Sequence, residues 1–119
     1  MTPREMALTL ARALDSKKGK NIRVLEINNV TTLADYFVLC TGTSAPQLKA
    51  LADAGEKAMK EAGILPHHIE GHRGAWILQD YGDVVVHLFD TEARAFYDLD
   101  RLWQDAVEVD LAAILQPEG

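Results

Sequence analysis

The sequence has a single cysteine, Cys40, in 119 residues, so no disulfide can form within the chain. Cys40 lies in an apolar run, which indicates a buried thiol rather than a reactive one. No apolar stretch approaches the roughly 20 residues of a membrane-spanning helix. The first residues carry an early acid and no long apolar block, so we expect neither a signal peptide nor a membrane span. A cytoplasmic setting is expected.

Basic residues are scarce in the second half of the chain. Residues 61–119 hold three Lys and Arg against twelve Asp and Glu, a net −9, whereas residues 1–60 hold nine against six, a net +3. An acidic half of this kind repels phosphate backbones and complements a basic protein partner. The same charge also fits a surface that is merely kept soluble. We expect no direct sequence-specific binding of nucleic acid.

Apolar spacing divides the chain into helices and strands. Thr2 and Pro3 begin a predicted helix that runs to about Asp15, and Ser44 caps a second helix that ends at Gly63. Strands are predicted at about residues 22–27, 36–40, 65–70, 75–79 and 84–89, with the 36–40 strand buried on both faces and the 65–70 strand at an edge. Turn residues between the last two strands predict an antiparallel hairpin.

The last third of the chain is predicted to return to helix. Thr91 is expected to cap a short helix, and Phe96, Leu99 and Leu102 to pack it onto the sheet. Residues 110–115 are predicted as a last short helix, and residues 116–119 as a frayed tail. The fold class is therefore α+β, with α/β-type layers: one domain over residues 1–119, containing a mixed sheet of about five strands flanked by helices.

Templates for catalysis do not fit this chain. Thr41-Gly42-Thr43-Ser44 lies between a strand and a helix but lacks the lysine of a phosphate-binding loop. Nucleotidyl transfer needs two carboxylates on one face of a strand, where they hold metal ions. Asp83 begins such a strand, but the second carboxylate would have to stand at position 85, which is Val85. We expect a nucleotidyltransferase-like layout without the catalytic carboxylates, and no enzyme activity.

The histidines offer a weak metal site. His67, His68, Glu70 and His72 are close in sequence, and imidazole and carboxylate both bind zinc. However, His67 and His68 point to opposite faces of a strand, and no cysteine is near. We expect a solvated loop there, with no metal and no cofactor. His87 lies in an apolar strand and is expected to be a hydrogen-bonded residue of the core or its rim.

Several segments in order resemble the ribosomal silencing factor family, also called the Iojap-like family. They are Asp35-Tyr36-Phe37-Val38, Thr41-Gly42-Thr43-Ser44 with Gln47, Glu70-Gly71, the run from Trp76 to Phe89, Arg94, Phe96-Tyr97, Leu99, Leu102-Trp103 and Asp105-Ala106. The resemblance covers roughly residues 5–109. Any one segment is weak, but the ordered set with compatible spacing is specific.

The resemblance implies a factor that acts without catalysis. Members of the family bind large-subunit ribosomal protein fourteen, block the joining of the ribosomal subunits and repress translation when nutrients are scarce. They often form homodimers, and organelle relatives act in large-subunit assembly. An assembly factor and, less favoured, a metal-dependent nucleotidyltransferase are therefore the alternative functions for this chain.

Strand alternation places the predicted contacts. Trp76, Leu78 and Asp80 fall on one face of the 75–79 strand, and Ala75, Ile77 and Gln79 on the other. Helices are expected to cover the Ile77 face, which leaves an apolar patch with an acidic edge, a profile typical of protein interfaces. The predicted partner-binding residues are Trp76, Leu78, Asp80, Tyr81, Glu70 and Asp83. The alternative is that Trp76 is itself part of the core.

Overall fold

The computed structural model describes residues 1–71 and 74–115. The described residues contain four helices, two of them long, and six strands. The elements are α1 (Pro3–Ser16), β1 (Lys20–Glu26), β2 (Tyr36–Gly42), α2 (Ala45–Glu61), β3 (His68–Glu70), β4 (Trp76–Asp80), β5 (Val84–Asp90), α3 (Thr91–Tyr97), α4 (Leu99–Leu102) and β6 (Val107–Val109). Predictions about His72 and about residues 116–119 lie outside the described residues.

Both long helices begin where their capping residues stand. At α1, the Thr2 side chain accepts a hydrogen bond from the Glu5 N–H, while the Glu5 carboxylate accepts one from the Thr2 N–H. This reciprocal pair satisfies two amides that the first helical turn leaves free. At α2, Ser44 accepts from the Gln47 N–H in the same way. The predicted starts of both helices are therefore confirmed.

Six strands form one mixed sheet in the order β3-β4-β5-β2-β1-β6. The central pair, β2 and β5, is parallel, and the other four pairings are antiparallel. β2 is buried along its whole length, as the unbroken apolar run predicts. The predicted hairpin of β4 and β5 is confirmed, and β3 is an edge strand as expected.

The sheet separates two apolar clusters. One face packs against α1 and α2 through residues such as Leu10, Leu51 and Val38. The opposite face packs against α3, α4 and the segment before β2, through residues such as Phe37 and Leu99. Cys40 is fully buried in the first cluster, and burial raises the pKa of its thiol to about 12, which confirms an unreactive cysteine. No helix in the described ranges is long and apolar enough to cross a membrane.

The structure corrects the sequence-based prediction at its C-terminal end. A sixth strand, β6, pairs with β1, and residues 110–115 form turns rather than a helix. Asp90, not Thr91, caps α3, because the Asp90 carboxylate accepts from the Ala93 N–H at 2.7 Å. Leu99 is buried as predicted, but Phe96 and Leu102 are 81% and 68% exposed. Those two side chains point away from the sheet instead of packing onto it.

Candidate protein-binding surface

The alternation predicted for β4 is present in the structure. Ile77 and Gln79 are buried on the side of α1 and α2, and the Gln79 amide donates to the Ala52 carbonyl of α2 at 3.0 Å. Trp76, Leu78 and Asp80 lie on the other side and are half-buried. The three residues therefore share one face, which α3 and α4 cover only in part.

A shallow groove of about 350 Å³ runs along this face. Its floor comes from β2, β4 and β5, and its walls come from α4 with the turn after it and from the loop before β2. We call it the apolar groove, and it is lined by Leu33, Phe37, Trp76, Leu78, Asp80, Val85, His87, Leu99, Leu102 and Trp103. Eight of these ten residues have aliphatic or aromatic side chains. This composition is typical of the buried core of a protein interface rather than of a solvated surface.

Trp76 is held rigidly within a group of aromatic rings. Its indole lies 4.6 Å from the Tyr97 ring and 5.1 Å from the Phe89 ring, measured between ring centroids. Its Nε1–H donates to Nδ1 of His87 at 3.1 Å. The indole is thus a part of the packing and remains partly exposed to solvent. A fixed, partly exposed tryptophan loses little conformational entropy when a partner covers it.

His87 is the polar centre of the groove floor. The Phe37 ring packs against the His87 ring edge to face, with 4.7 Å between the ring centroids. Burial lowers the pKa of His87 to about 4. The neutral ring accepts from Trp76 at Nδ1, which places its proton on Nε2. Nε2 is buried and finds no partner among the residues that the structure describes. The prediction of a hydrogen-bonded histidine is confirmed for one of its two nitrogens.

Acidic residues border the groove on the β3 and β4 side. Asp80 lines the groove itself, and one of its oxygens accepts from the Gly82 N–H at 2.7 Å. Glu70 pairs with Leu78 across β3 and β4, so its exposed side chain is on the same face of the sheet. Asp83 is exposed in the turn between β4 and β5, where its carbonyl accepts from the Asp35 and Tyr36 N–H groups. These carboxylates give this border a negative potential.

The placement of Tyr81 on this surface was wrong. Tyr81 is only 4% exposed and packs in the apolar cluster beneath α1 and α2. Its hydroxyl donates to the Gln79 side-chain carbonyl at 3.3 Å, within the core on that side. Tyr81 is two residues after Gln79, so strand alternation itself places it on the Gln79 side of the sheet, and its assignment to the Trp76 face was an error in applying that alternation.

Sequence reasoning missed part of the surface contributed by α3, α4 and the loop before β2. Leu33, Phe96 and Leu102 are all large apolar residues that are more than two-thirds exposed, and Tyr97 is about half-exposed. An amphipathic helix hides such residues only if it is long enough to form a continuous stripe. α3 has seven residues and α4 has four, so the available signal was the shortness of the helices, since each can bury only one or two side chains.

An ion-pair network anchors the helical wall of the groove. The Arg94 guanidinium donates to both oxygens of Asp100, at 2.7 and 2.9 Å, and to the Thr41 hydroxyl at 3.0 Å. Arg23 of β1 donates to the same Asp100 at 2.6 Å and to both oxygens of Glu108. Hydrogen bonds from Arg94, and then from Arg23, hold the pKa of Asp100 at about 2. The network ties α3 and α4 to the sheet.

The residues of the alternative catalytic hypothesis do not converge on a metal. Asp83 precedes β5, and Val85, which follows it on that strand, lines the apolar groove. Within residues 1–71 and 74–115, no three His, Cys, Asp or Glu side chains are grouped as they would be around a metal ion. What the arrangement offers is an apolar surface with an acidic border, suited to binding a macromolecule.

Comparison with known proteins identifies the family. A family model described as ribosomal silencing factor during starvation matches residues 1–119. The chain belongs to the ribosomal silencing factor family. A ribosomal silencing factor from Halalkalibacterium halodurans is 37% identical over 116 residues, which cover 97% of this chain and 99% of the relative. One from Bacillus subtilis is 38% identical over 112 residues, covering 93% and 95%.

The chain also has the same fold as proteins of known structure. An X-ray structure of a protein from Chromobacterium violaceum has a TM-score of 0.84 with this chain at 39% identity, covering 87% of this chain and 88% of that one. The resemblance to the ribosomal silencing factor family and the α+β fold class are therefore both confirmed. The sheet has six strands where about five were predicted.

Proposed function

We propose that this ribosomal silencing factor binds the large ribosomal subunit by seating ribosomal protein fourteen in the apolar groove. So bound, the chain blocks subunit joining and represses translation under nutrient limitation. The observation that supports this most directly is the partly exposed Trp76, fixed by His87 and Tyr97 in a groove with an acidic border. Family membership supplies the link to ribosomes.

The chemistry of the groove favours a basic protein as its occupant. Trp76, Leu78 and Leu102 present apolar surface, and burial of such surface provides most of the free energy of protein association. Asp80 and Glu70 place negative charge beside it, which attracts Lys and Arg side chains and orients an approaching basic protein. Ribosomal proteins are rich in such side chains.

Steric occupancy, not catalysis, is the proposed mode of action. Val85 stands where a second metal-binding carboxylate would be required, which supports a non-enzymatic role. A protein that covers an intersubunit surface stops joining without changing any covalent bond. We propose that the chain acts in the cytoplasm, where ribosomes assemble and initiate, and that it can form homodimers as members of its family do.

Truncation of the Trp76 side chain tests the proposal. Trp76→Ala removes one of the two indole rings of the groove and leaves the acidic border in place. We expect it to weaken binding to purified ribosomal protein fourteen by about 2 kcal/mol or more, roughly 30-fold in Kd, as for a central aromatic hot spot. Isothermal titration calorimetry measures the affinity, and light scattering of mixed subunits measures the loss of inhibition of joining.

Two further variants separate binding from folding. Leu102→Glu places a charge on an exposed groove residue that the core does not need, so it should weaken binding with little change in the free energy of unfolding. Leu65→Ala removes an equally exposed leucine outside the groove and should bind as the wild type does. If Trp76→Ala and Leu102→Glu bind ribosomal protein fourteen as tightly as Leu65→Ala, the groove is not its binding site.

A further inference from the structure

Three lysines project from the connection between α1 and β1. Lys17, Lys18 and Lys20 are all exposed, and they account for the whole net charge of +3 in residues 1–60, because the other charges there cancel. We call this segment the lysine turn. Asp15, the acid just before it, is half-buried at the end of α1. In a chain of net charge −6, the lysine turn places three of the twelve basic residues within four positions, although Lys17 also lines a hollow with Asp53 and Glu61.

The lysine turn is held in a fixed conformation. The Gln47 side-chain amide donates to the carbonyls of Lys17 and Lys18, at 3.3 and 3.1 Å. The Gln47 carbonyl accepts from both the N–H and the hydroxyl of Thr43. Gly19 packs so closely on Cys40 that a Cβ there would collide with its sulfur. The lysine ammonium groups are therefore presented from a rigid base, which lowers the entropy lost when they meet a charged partner.

Lys18 adopts a conformation that lysine does not prefer. Its φ is +61°, in the left-handed region, where a residue with a Cβ is disfavoured by roughly 1 kcal/mol or more. Glycine or asparagine would occupy this position at lower cost. The turn thus carries a positive charge at a position where the backbone conformation favours glycine or asparagine.

The lysine turn lies at the end of the sheet where Trp76 lines the apolar groove. Trp76 pairs with Phe89, Phe89 with Thr41, and Thr41 with Lys20, so one row of residues crosses four adjacent strands. Three interstrand spacings separate Trp76 from Lys20, or roughly 15 Å along the sheet. Asp80 is at the opposite end of β4 from Trp76, so this acidic border of the groove is directed away from the lysines.

We propose that the lysine turn binds the phosphate backbone of ribosomal RNA beside the protein that fills the apolar groove. The inference rests on the proposed docking to the large subunit. On such a surface the dense negative charge near a ribosomal protein belongs to RNA phosphates, and ammonium groups bind phosphates without regard to base sequence. The groove thus recognises protein and the lysine turn recognises nucleic acid, and the two contacts together fix the orientation of the chain on the subunit.

The salt dependence of subunit binding tests the inference. We compare Lys17→Ala/Lys18→Ala/Lys20→Ala with Lys49→Ala/Lys57→Ala/Lys60→Ala, which removes the same number of charges from exposed positions of α2. Each phosphate contact contributes about 0.7 to 0.9 to the slope of log affinity against log salt concentration. Loss of three contacts should reduce that slope by about 2 to 3 and weaken binding about tenfold near physiological salt, whereas the α2 variant should keep the wild-type slope.

The readouts distinguish this contact from the groove. The lysine-turn variant should bind isolated ribosomal protein fourteen as the wild type does, while Trp76→Ala loses that binding and keeps the salt slope on whole subunits. A photo-crosslinking side chain at position 17, in place of Lys17, should attach to ribosomal RNA. An unchanged slope in the lysine-turn variant, an equal loss of slope in both triple variants, or crosslinks to ribosomal protein alone would each overturn the inference.

Discussion

At the scale of single residues, the hydrogen bond between Trp76 and His87 determines which surface the groove presents. The indole N–H is already used by Nδ1 of His87, so Trp76 offers a partner its ring surface and no hydrogen bond. His87 can accept that bond only while its ring is neutral, and burial favours the neutral form. The position of the Trp76 ring therefore depends on the protonation state of the buried His87 ring.

The buried imidazole should make stability depend on pH below neutrality. The pKa of His87 is about 4 in the folded chain against an ordinary value of 6.5, so the unfolded chain takes up the proton first as the pH falls. We expect the free energy of unfolding to decrease from pH 6.5 to pH 4 by up to about 3 kcal/mol from this residue. Urea unfolding measured at several pH values checks this.

A non-titrating replacement isolates the contribution of His87. His87→Asn keeps an oxygen near the position of Nδ1, able to accept from the Trp76 indole, but has no proton to take up in this range. The difference in stability between the wild type and His87→Asn should therefore shrink or reverse between pH 6.5 and pH 4. A difference that stays constant across the range would show that His87 is not the titrating group.

Individual side-chain positions on β4 were predictable from strand alternation. Trp76, Leu78 and Asp80 lie inside β4, where a period of two decides the face, and all three are where the sequence indicates. The same period places Tyr81 with Gln79, so its burial on the side of α1 and α2 follows from the sequence, and its assignment to the opposite face was a misapplication of that period. The sequence does not contain the partner of each side chain, such as the Gln79 carbonyl that accepts from the Tyr81 hydroxyl.

At the scale of secondary-structure elements, α3 and α4 are too short to be held by apolar packing alone. Each buries a single residue, Ala93 and Leu99. The bidentate pair of Arg94 and Asp100, joined by Arg23, supplies the remaining attachment to the sheet. Because α4 carries Leu99 and Leu102 into the groove wall, this ion-pair network also determines the shape of the groove.

Neutralising the central carboxylate should loosen this attachment. Asp100→Asn removes the negative charge that faces Arg94 and Arg23, and the Arg94 side chain is only 11% exposed. We expect a loss of about 2 kcal/mol in the free energy of unfolding, because a largely buried guanidinium loses its charged partner. Chemical denaturation measures the stability, and calorimetry with ribosomal protein fourteen should show weaker binding.

A neighbouring carboxylate provides the matched control. Asp105 is exposed in the turn that follows α4, so Asp105→Asn removes one negative charge without touching the network. It should leave stability within about 0.5 kcal/mol of the wild type, as is usual at exposed positions. Equal stability of Asp100→Asn and Asp105→Asn would contradict a structural role for the ion-pair network.

Long elements were predictable from sequence and short ones were not. α1 and α2 combine a capping residue, an early proline and a sustained apolar period, and both begin where predicted. β6 has three residues, Val107-Glu108-Val109, so its alternation of apolar and polar residues is too short to distinguish a strand from a loop. Its existence depends on pairing with β1, more than 80 positions earlier, and that pairing is a property of the tertiary structure.

At the scale of the whole molecule, the sheet is shared by both apolar clusters. Val38 of β2 faces α1 and α2, while its neighbours Phe37 and Leu39 face α3 and α4. Neither set of helices packs on an apolar cluster of its own, because residues of the sheet belong to both clusters. The two sides should therefore unfold together, since loss of the sheet removes the packing surface of both.

Two optical probes should report one transition. Far-ultraviolet circular dichroism follows mainly α1 and α2, whereas the emission of Trp76 and Trp103 follows the side of α3 and α4. In urea we expect coincident midpoints and a common slope of about 1–3 kcal/mol per molar. An emission change completed at clearly lower urea than the circular dichroism change would show that the groove side is a separate, weaker unit.

The pairing of β6 with β1 also has a consequence for timing during synthesis. The groove wall uses Leu99, Leu102 and Trp103, and the sheet receives its sixth strand only from residues 107–109. Ribosomes release the chain from its N-terminus, and a domain folds as a unit once its parts have emerged. A growing copy therefore presents no complete groove until its last strand has emerged, so the surface that we propose docks on the large subunit becomes available only on a chain that is almost finished.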